Sequence, residues 1–195
     1  VVAGTASASA QGDVPTSDPV ATSAPAGPLS AVAGGPVALV LPDSEYVYGP
    51  TLYRFDADEF ARAQGGYLAR YVEIVDGEPL TGGQIVTRVA EDFSVGPRLL
   101  LALVEMHSGW VRDPEPAERN FPVAEPQPGL YAGLQAAADA LNASYYSWRR
   151  SGNRDVVLAG GASVTVAAPN AGTYGILAYL ARGKGLDEWA AMTAP

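Results

Sequence analysis

Glu105 stands at the end of an unbroken apolar run, Leu99-Leu100-Leu101-Ala102-Leu103-Val104, and its placement suggests chemistry more than that of any other carboxylate in the chain. Burying a lone charge is costly, so such a group is paired, neutralised or put to use. A carboxyl held among apolar groups keeps its proton closer to neutrality and can deliver it to a leaving oxygen; once deprotonated, it can serve as a base. Ser108 follows at i+3, which on a helix is the same face. A two-carboxylate mechanism would need a partner, and Asp113, Glu115 and Glu118 qualify by position. The structural alternative for Glu105 is a helix-end carboxylate paired with an arginine, Arg112 or Arg149. His107, the single histidine, reads as a half-buried structural residue rather than a base.

The element that must hold Glu105 is a helix opening at Pro97, a residue suited to a first helical position. It is apolar on every face from Leu99 to Val104, which predicts burial all round, and Gly109 stops it. Before it, Thr81 caps a helix with Ile85, Val86, Val89, Ala90 and Phe93 on one face. Asp56 caps a shorter helix through Phe60 to Gln64, ended by Gly65-Gly66. Tyr67 to Val75 fits either a further helix or, over Val72 to Val75, an extended piece, and Asp76-Gly77 is a turn signal. Tyr46, Tyr48 and Tyr53 alternate as in an extended segment following a turn at Pro42-Asp43-Ser44.

Downstream, Arg112 to Pro128 is too rich in proline for a regular element and is expected to form a groove wall or lid. Gly129 opens a long helix carrying Leu130, Leu134, Ala137, Ala138, Leu141, Tyr145 and Trp148, with Arg149 and Arg150 favouring its C-terminal dipole end. Tyr145, Tyr146 and Trp148 read as core and docking aromatics. A helical setting argues against using the Asn142-Ala143-Ser144 sequon. Val156 to Val166 reads as a hairpin around Gly160-Gly161. Asn170 caps a helix with Ile176, Leu177 and Leu180, and Leu186 to Met192 makes a last short helix with Trp189 buried.

With 195 residues, 48% of them hydrophobic, most of the chain should fold. Twenty-one acidic groups against 12 basic ones give a formal charge of -9, and Lys184 is the only lysine. That balance argues against nucleic acid, which needs a clustered basic surface. The absence of cysteine excludes disulfides and thiolate metal sites. A single histidine does not suit a His-based metal site or a Ser-His-Asp triad, so no metal and no cofactor is expected. No apolar run reaches the roughly 18 residues of a membrane span. Residues 1–35, built from Ala, Ser, Thr, Pro and Gly, read as an extended arm or linker, with the globular domain over 36–195. A small-residue start without methionine predicts a processed, secreted protein at or outside the cell surface. The β-prone pieces of the arm, around Val1-Val2 and Val37 to Leu41, could add as strands to a neighbouring copy. Val1, Val2, Val37 and Leu39 are then the subunit contacts of a homo-oligomer.

Arg98 to Glu105, with Ser108-Gly109-Trp110 just after, resembles the catalytic helix of goose-type lysozymes and soluble lytic transglycosylases. Gly129-Leu130-Tyr131-Ala132-Gly133-Leu134-Gln135 is similar to that family's Gly-Leu-Met-Gln helix start. Pro169-Asn170-Ala171-Gly172-Thr173 is similar to its Tyr-Asn-Ala-Gly motif, in the same order along the chain. The likeness spans roughly Thr81 to Met192. It implies Glu105 as acid/base on peptidoglycan glycan strands, with Ser108, Tyr131, Gln135, Asn170 and Tyr174 as substrate ligands. The departures are that Met106-His107 separates Glu105 from Ser108, that the Met-Gln pair is not in place, and that Pro169 replaces a tyrosine.

The expected fold is mainly α (α+β), a lysozyme-like helical domain with a small β-hairpin behind the arm. Two functions compete. One is a glycan-cleaving or glycan-binding domain centred on Glu105. The other is a non-catalytic extracellular subunit, of a filament or surface layer, that joins copies of itself through the arm.

Overall fold

The computed structural model describes residues 41–117 and 129–193. Val1, Val2, Val37 and Leu39, expected as subunit contacts, lie outside these residues, as does Glu118. The described chain is mainly α (α+β), as the sequence predicts, with two small antiparallel sheets in place of the single expected hairpin. Seven helices run α1 (Asp43–Tyr46), α2 (Ala57–Gln64), α3 (Gly82–Phe93), α4 (Pro97–Ser108), α5 (Gly129–Ser151), α6 (Ala171–Ala181) and α7 (Leu186–Thr193). Strands β1 (Val72–Val75) and β2 (Glu78–Thr81) form one hairpin, and β3 (Asp155–Val157) and β4 (Ser163–Thr165) the other.

Most helix starts follow from their caps. Asp56 accepts from the amides of Asp58 and Glu59, Asn170 from that of Thr173, and Thr81 makes a reciprocal capping box with Gln84. Thr81 does double duty, because it also ends β2 opposite Val72. The long helix α5 is held differently. One carboxylate oxygen of Glu73, on β1, accepts from the amides of Leu130 (2.8 Å) and Tyr131 (3.2 Å) and from the Tyr71 hydroxyl (2.8 Å). A negative group there satisfies orphan donors and complements the helix dipole. Burial and the Glu73 hydrogen bond push the Tyr71 phenol up to about 12.

The main core lies among α2, α3, α4 and α5, with Leu100, Leu130, Leu134 and Leu141 fully enclosed. A second cluster sits under the β3–β4 hairpin, where Val156, Val164 and Trp189 meet Tyr174 and Leu177 of α6, and Trp148 packs against both clusters. The helix buried on nearly every face is therefore α6, from Ala171 through Leu177, rather than α4. On α4, Leu99, Leu100, Leu101, Leu103 and Val104 are buried, but Arg98, Ala102 and Met106 form an exposed stripe at intervals of four. The expectation that α4 is enclosed all round is corrected by that stripe, which no other element covers among the described residues.

The first and last quarters of the chain meet at α1 and α6. The Asp43 carboxylate accepts from the amide of Gly172 (2.8 Å), and the Leu41 amide donates to the Thr173 hydroxyl (3.0 Å). Tyr46 lies against α6, stacks on Tyr145 and donates its hydroxyl proton to the carbonyl of Leu141 (2.8 Å). The segment from Pro42 to Ser44, read as a turn, is thus continued into one turn of helix. Beyond it Val47 bridges to Val95 in an extended pairing.

Candidate functional site

Glu105 occupies the last turn of α4. Gly109 takes a left-handed conformation (φ 68°) that folds the chain back beneath the helix end. That reversal brings the amides of Val111 (3.1 Å) and Arg112 (3.2 Å) onto Oε2 of Glu105, while Nε of Arg112 donates to Oε1 (2.8 Å). Both carboxylate oxygens thus face N–H donors, and the side chain is 25% exposed. Of the two arginines named from the sequence, the partner is Arg112. The three hydrogen bonds tie the carboxylate to the Gly109–Arg112 turn.

Of the residues expected to bind glycan, Ser108 shares the last turn of α4 with Glu105, while Tyr131 and Gln135 lie on α5 and Asn170 and Tyr174 at α6. The Ser108 hydroxyl donates to the carbonyl of Val104 (2.7 Å) within its own helix. Asn170 caps α6 through its carbonyl oxygen, 2.8 Å from the amide of Thr173. Tyr174 is 3% exposed, with its hydroxyl bound to the carbonyl of Asp155 (2.7 Å) and to Asn153. Tyr131 and Gln135 are half-buried on α5. None of these five lines the groove beside Glu105. The proposed second carboxylates also serve the loop, since Glu115 pairs with Arg70 (2.7 Å) and Asp113 accepts from the Glu115 amide (2.8 Å).

That groove runs between α2 and α4 and encloses about 610 Å³. Its floor is Leu101 and Ala102. Phe60 from α2 and Met106 from α4 form its walls, 37% and 52% exposed. Phe55 closes one end, 5.5 Å from Phe60 between ring centres. A guanidinium stands at each end. Arg98 lies over Phe55 and 3.4 Å from Glu45, and Arg112 holds Glu105. The sequence carried a signal for this face, because Arg98, Ala102 and Met106 share one α4 stripe; the apposition of α2 is a long-range fact that no local pattern reveals. A second groove of about 990 Å³, between the β1–β2 hairpin, α2 and α3, is polar. Within its lining Arg62 pairs with Asp58 at 2.8 Å, and Arg88 lies 3.9 Å from Asp76 while pairing with Asp92 outside the groove.

His107, next to Glu105, turns away from the groove toward α6, where its Nε2 lies 3.2 Å from the Tyr179 hydroxyl. Burial, with a smaller contribution from Lys184, holds its imidazole below the ordinary histidine value. The unfolded chain therefore binds the His107 proton more readily than the folded one. This contribution to stability is complete above the unfolded value of about 6.5 and is lost as pH falls through the lower folded value. Urea midpoints from pH 8 to pH 5 should fall more steeply for the wild type than for His107→Asn; parallel curves would exclude His107 as a source of acid sensitivity.

Among the described residues no helix is long and apolar enough to cross a membrane, and no group of three or more His, Asp and Glu side chains is placed to hold a metal ion. Neither the curated proteins nor the solved structures contain a match to the chain. Residues 39–194 do match the model of one family, described as LasA, N-terminal domain. That stretch takes in every helix and strand from α1 to α7, including both walls of the apolar groove. The chain belongs to the LasA N-terminal domain family.

Proposed function

We propose that this chain is a non-catalytic module which docks protein in the α2–α4 groove, and that it forms the N-terminal part of a longer, extracellular polypeptide. The observation that carries this reading is the groove itself. It is walled by Phe60 and Met106, and its one carboxylate, Glu105, is engaged by three donors. Large apolar side chains left exposed together mark interaction surfaces. That Ser108, Tyr131, Gln135, Asn170 and Tyr174 all lie outside the groove beside Glu105 supports docking over glycan cleavage. The family's description as an N-terminal domain supports a place ahead of further sequence, and the Ala/Ser/Thr/Pro-rich residues 1–35 suit an extracellular tether.

The partner in this reading is the polypeptide encoded directly after Pro195. Titrated as a separate protein against the domain, it should bind saturably. Phe60→Asp should weaken that binding at least about tenfold, a loss of about 1.4 kcal/mol, by placing a charge on an apolar wall. A reading frame that stops at Pro195, or binding indifferent to Phe60→Asp, overturns the proposal. So do polymers, seen by light scattering, that vanish when residues 1–35 are deleted, since these would put copies of the same chain in the partner's place.

Glu105 at the groove's edge sustains glycan cleavage as the second reading, and it has its own test. Purified cell-wall sacculi incubated with the wild type and with Glu105→Gln between about pH 4 and pH 8 should release no soluble fragments in either case. Release by the wild type that is lost in the variant would restore the catalytic reading.

A further inference from the structure

At both ends of the α2–α4 groove the carboxylate is the recessed member of its ion pair and the guanidinium the exposed one. Glu105 is 25% and Arg112 72% exposed; Glu45 is 34% and Arg98 47% exposed. Each pair is closed through Nε, so the Nη donors of both arginines have no protein acceptor among the described residues. An approaching partner therefore meets an apolar trough with a cation at each rim, on a chain whose overall charge is -9. Guanidinium is the group best suited to a second carboxylate, because its planar fork can serve one acid through Nε and another through Nη.

We infer that the groove's occupant is an amphipathic helix of the partner protein, whose apolar face is flanked by two carboxylates that complete the Arg98 and Arg112 pairs. This rests on the docking reading above and names the chemistry of the partner. The spacing follows from α4. Arg98 and Glu105, the residue that holds Arg112, are seven residues apart on the helix, a rise of about 10 Å along its axis. A ligand helix spans the same distance with acids at i and i+7, and its i+3 and i+4 side chains then lie on the same face, over Ala102 and between Phe60 and Met106. The net negative charge of the domain repels acidic segments elsewhere on its surface, so the two arginines also fix where such a helix can bind.

The test uses a fluorescein-labelled helical peptide with glutamates at i and i+7 and leucines at i+3 and i+4, beside a counterpart carrying glutamines in place of the glutamates. By fluorescence anisotropy against the full chain, the glutamate peptide should bind about fivefold tighter, the yield of two exposed ion pairs. The difference should disappear in the Arg98→Gln/Arg112→Gln variant and shrink as salt rises from roughly 0.05 M to roughly 0.5 M. Circular dichroism melts confirm that the variants are folded. Equal affinity for the two peptides, lost in Phe60→Asp, overturns the acidic partner and leaves the docking reading standing. If neither peptide binds, the inference falls, and titration with the downstream polypeptide judges the docking reading separately.

Discussion

Trp110→Ala is expected to remove about 3–5 kcal/mol from the stability of the domain, the range found when a large buried aromatic is truncated. Trp110 is 1% exposed and packs against two tyrosines that also touch each other, its ring 4.9 Å from Tyr67 and 5.2 Å from Tyr71. Its carbonyl accepts from the amide of Leu68 at 2.8 Å, so the residue joins the Gly109 turn to the 3₁₀ turn at Tyr67–Arg70. Removing the indole leaves a void beside the Tyr67–Tyr71 pair, which is held by its own ring contact and by Glu73. A domain with about 5–15 kcal/mol of total stability would lose a large share of it. Urea unfolding should show a much lower midpoint with an unchanged slope. A loss under about 1 kcal/mol would mean that the site collapses freely, against the packing described above.

The second large effect is expected at Gly175. A Cβ built there falls 2.4 Å from the hydroxyl of Tyr46 and 2.7 Å from its Cζ. Tyr46 has nowhere to go, being 1% exposed, stacked 5.0 Å from Tyr145 and hydrogen-bonded to Leu141. Gly175→Val should therefore cost at least about 3 kcal/mol, the upper end of the usual overpacking range. Gly183→Ala, where nothing lies within 4 Å of the new methyl, should stay within about 0.5 kcal/mol. Similar thermal midpoints for the two variants would show that α6 can move away from α1, contrary to the close approach seen here.

Much of this architecture could be read locally. Asp56, Thr81 and Asn170 cap the helices that their positions announce, and Gly65, Gly109 and Gly152 stand where helices end. The choice between helix and strand after Tyr67 resolves as both, a single 3₁₀ turn followed by β1. The strand β2 escapes sequence reading because Glu78-Pro79-Leu80-Thr81 has no apolar alternation. It forms because Asp76 and Gly77 both adopt positive φ and return the chain onto β1.

The site was less legible. An apolar run ending in a carboxylate looks the same in sequence whether its far face is covered or open, and whether the carboxylate meets substrate or its own backbone. The outcome depends on the reversal at Gly109, which delivers two amides to Glu105, and on where α2 comes to rest. Phe60 thereby gains importance that its own helix does not reveal. The Glu73 cap on α5 is equally hidden, because the two are separated by more than fifty residues of chain.

The seam between α1 and α6 also has a mechanical side. Anything that pulls on the chain upstream of Leu41 loads that seam first. The Leu41–Thr173 and Asp43–Gly172 hydrogen bonds and the Tyr46 side chain take the tension before any strand or long helix does. The hydrogen bonds at Leu41 and Asp43 yield one after the other, whereas Tyr46 is part of the main core and shares its load with α3, α4 and α5. If residues 1–35 act as a tether, the domain has a weak point at its anchored end. Under strain that end would peel away from α6 while the walls of the α2–α4 groove stayed in place.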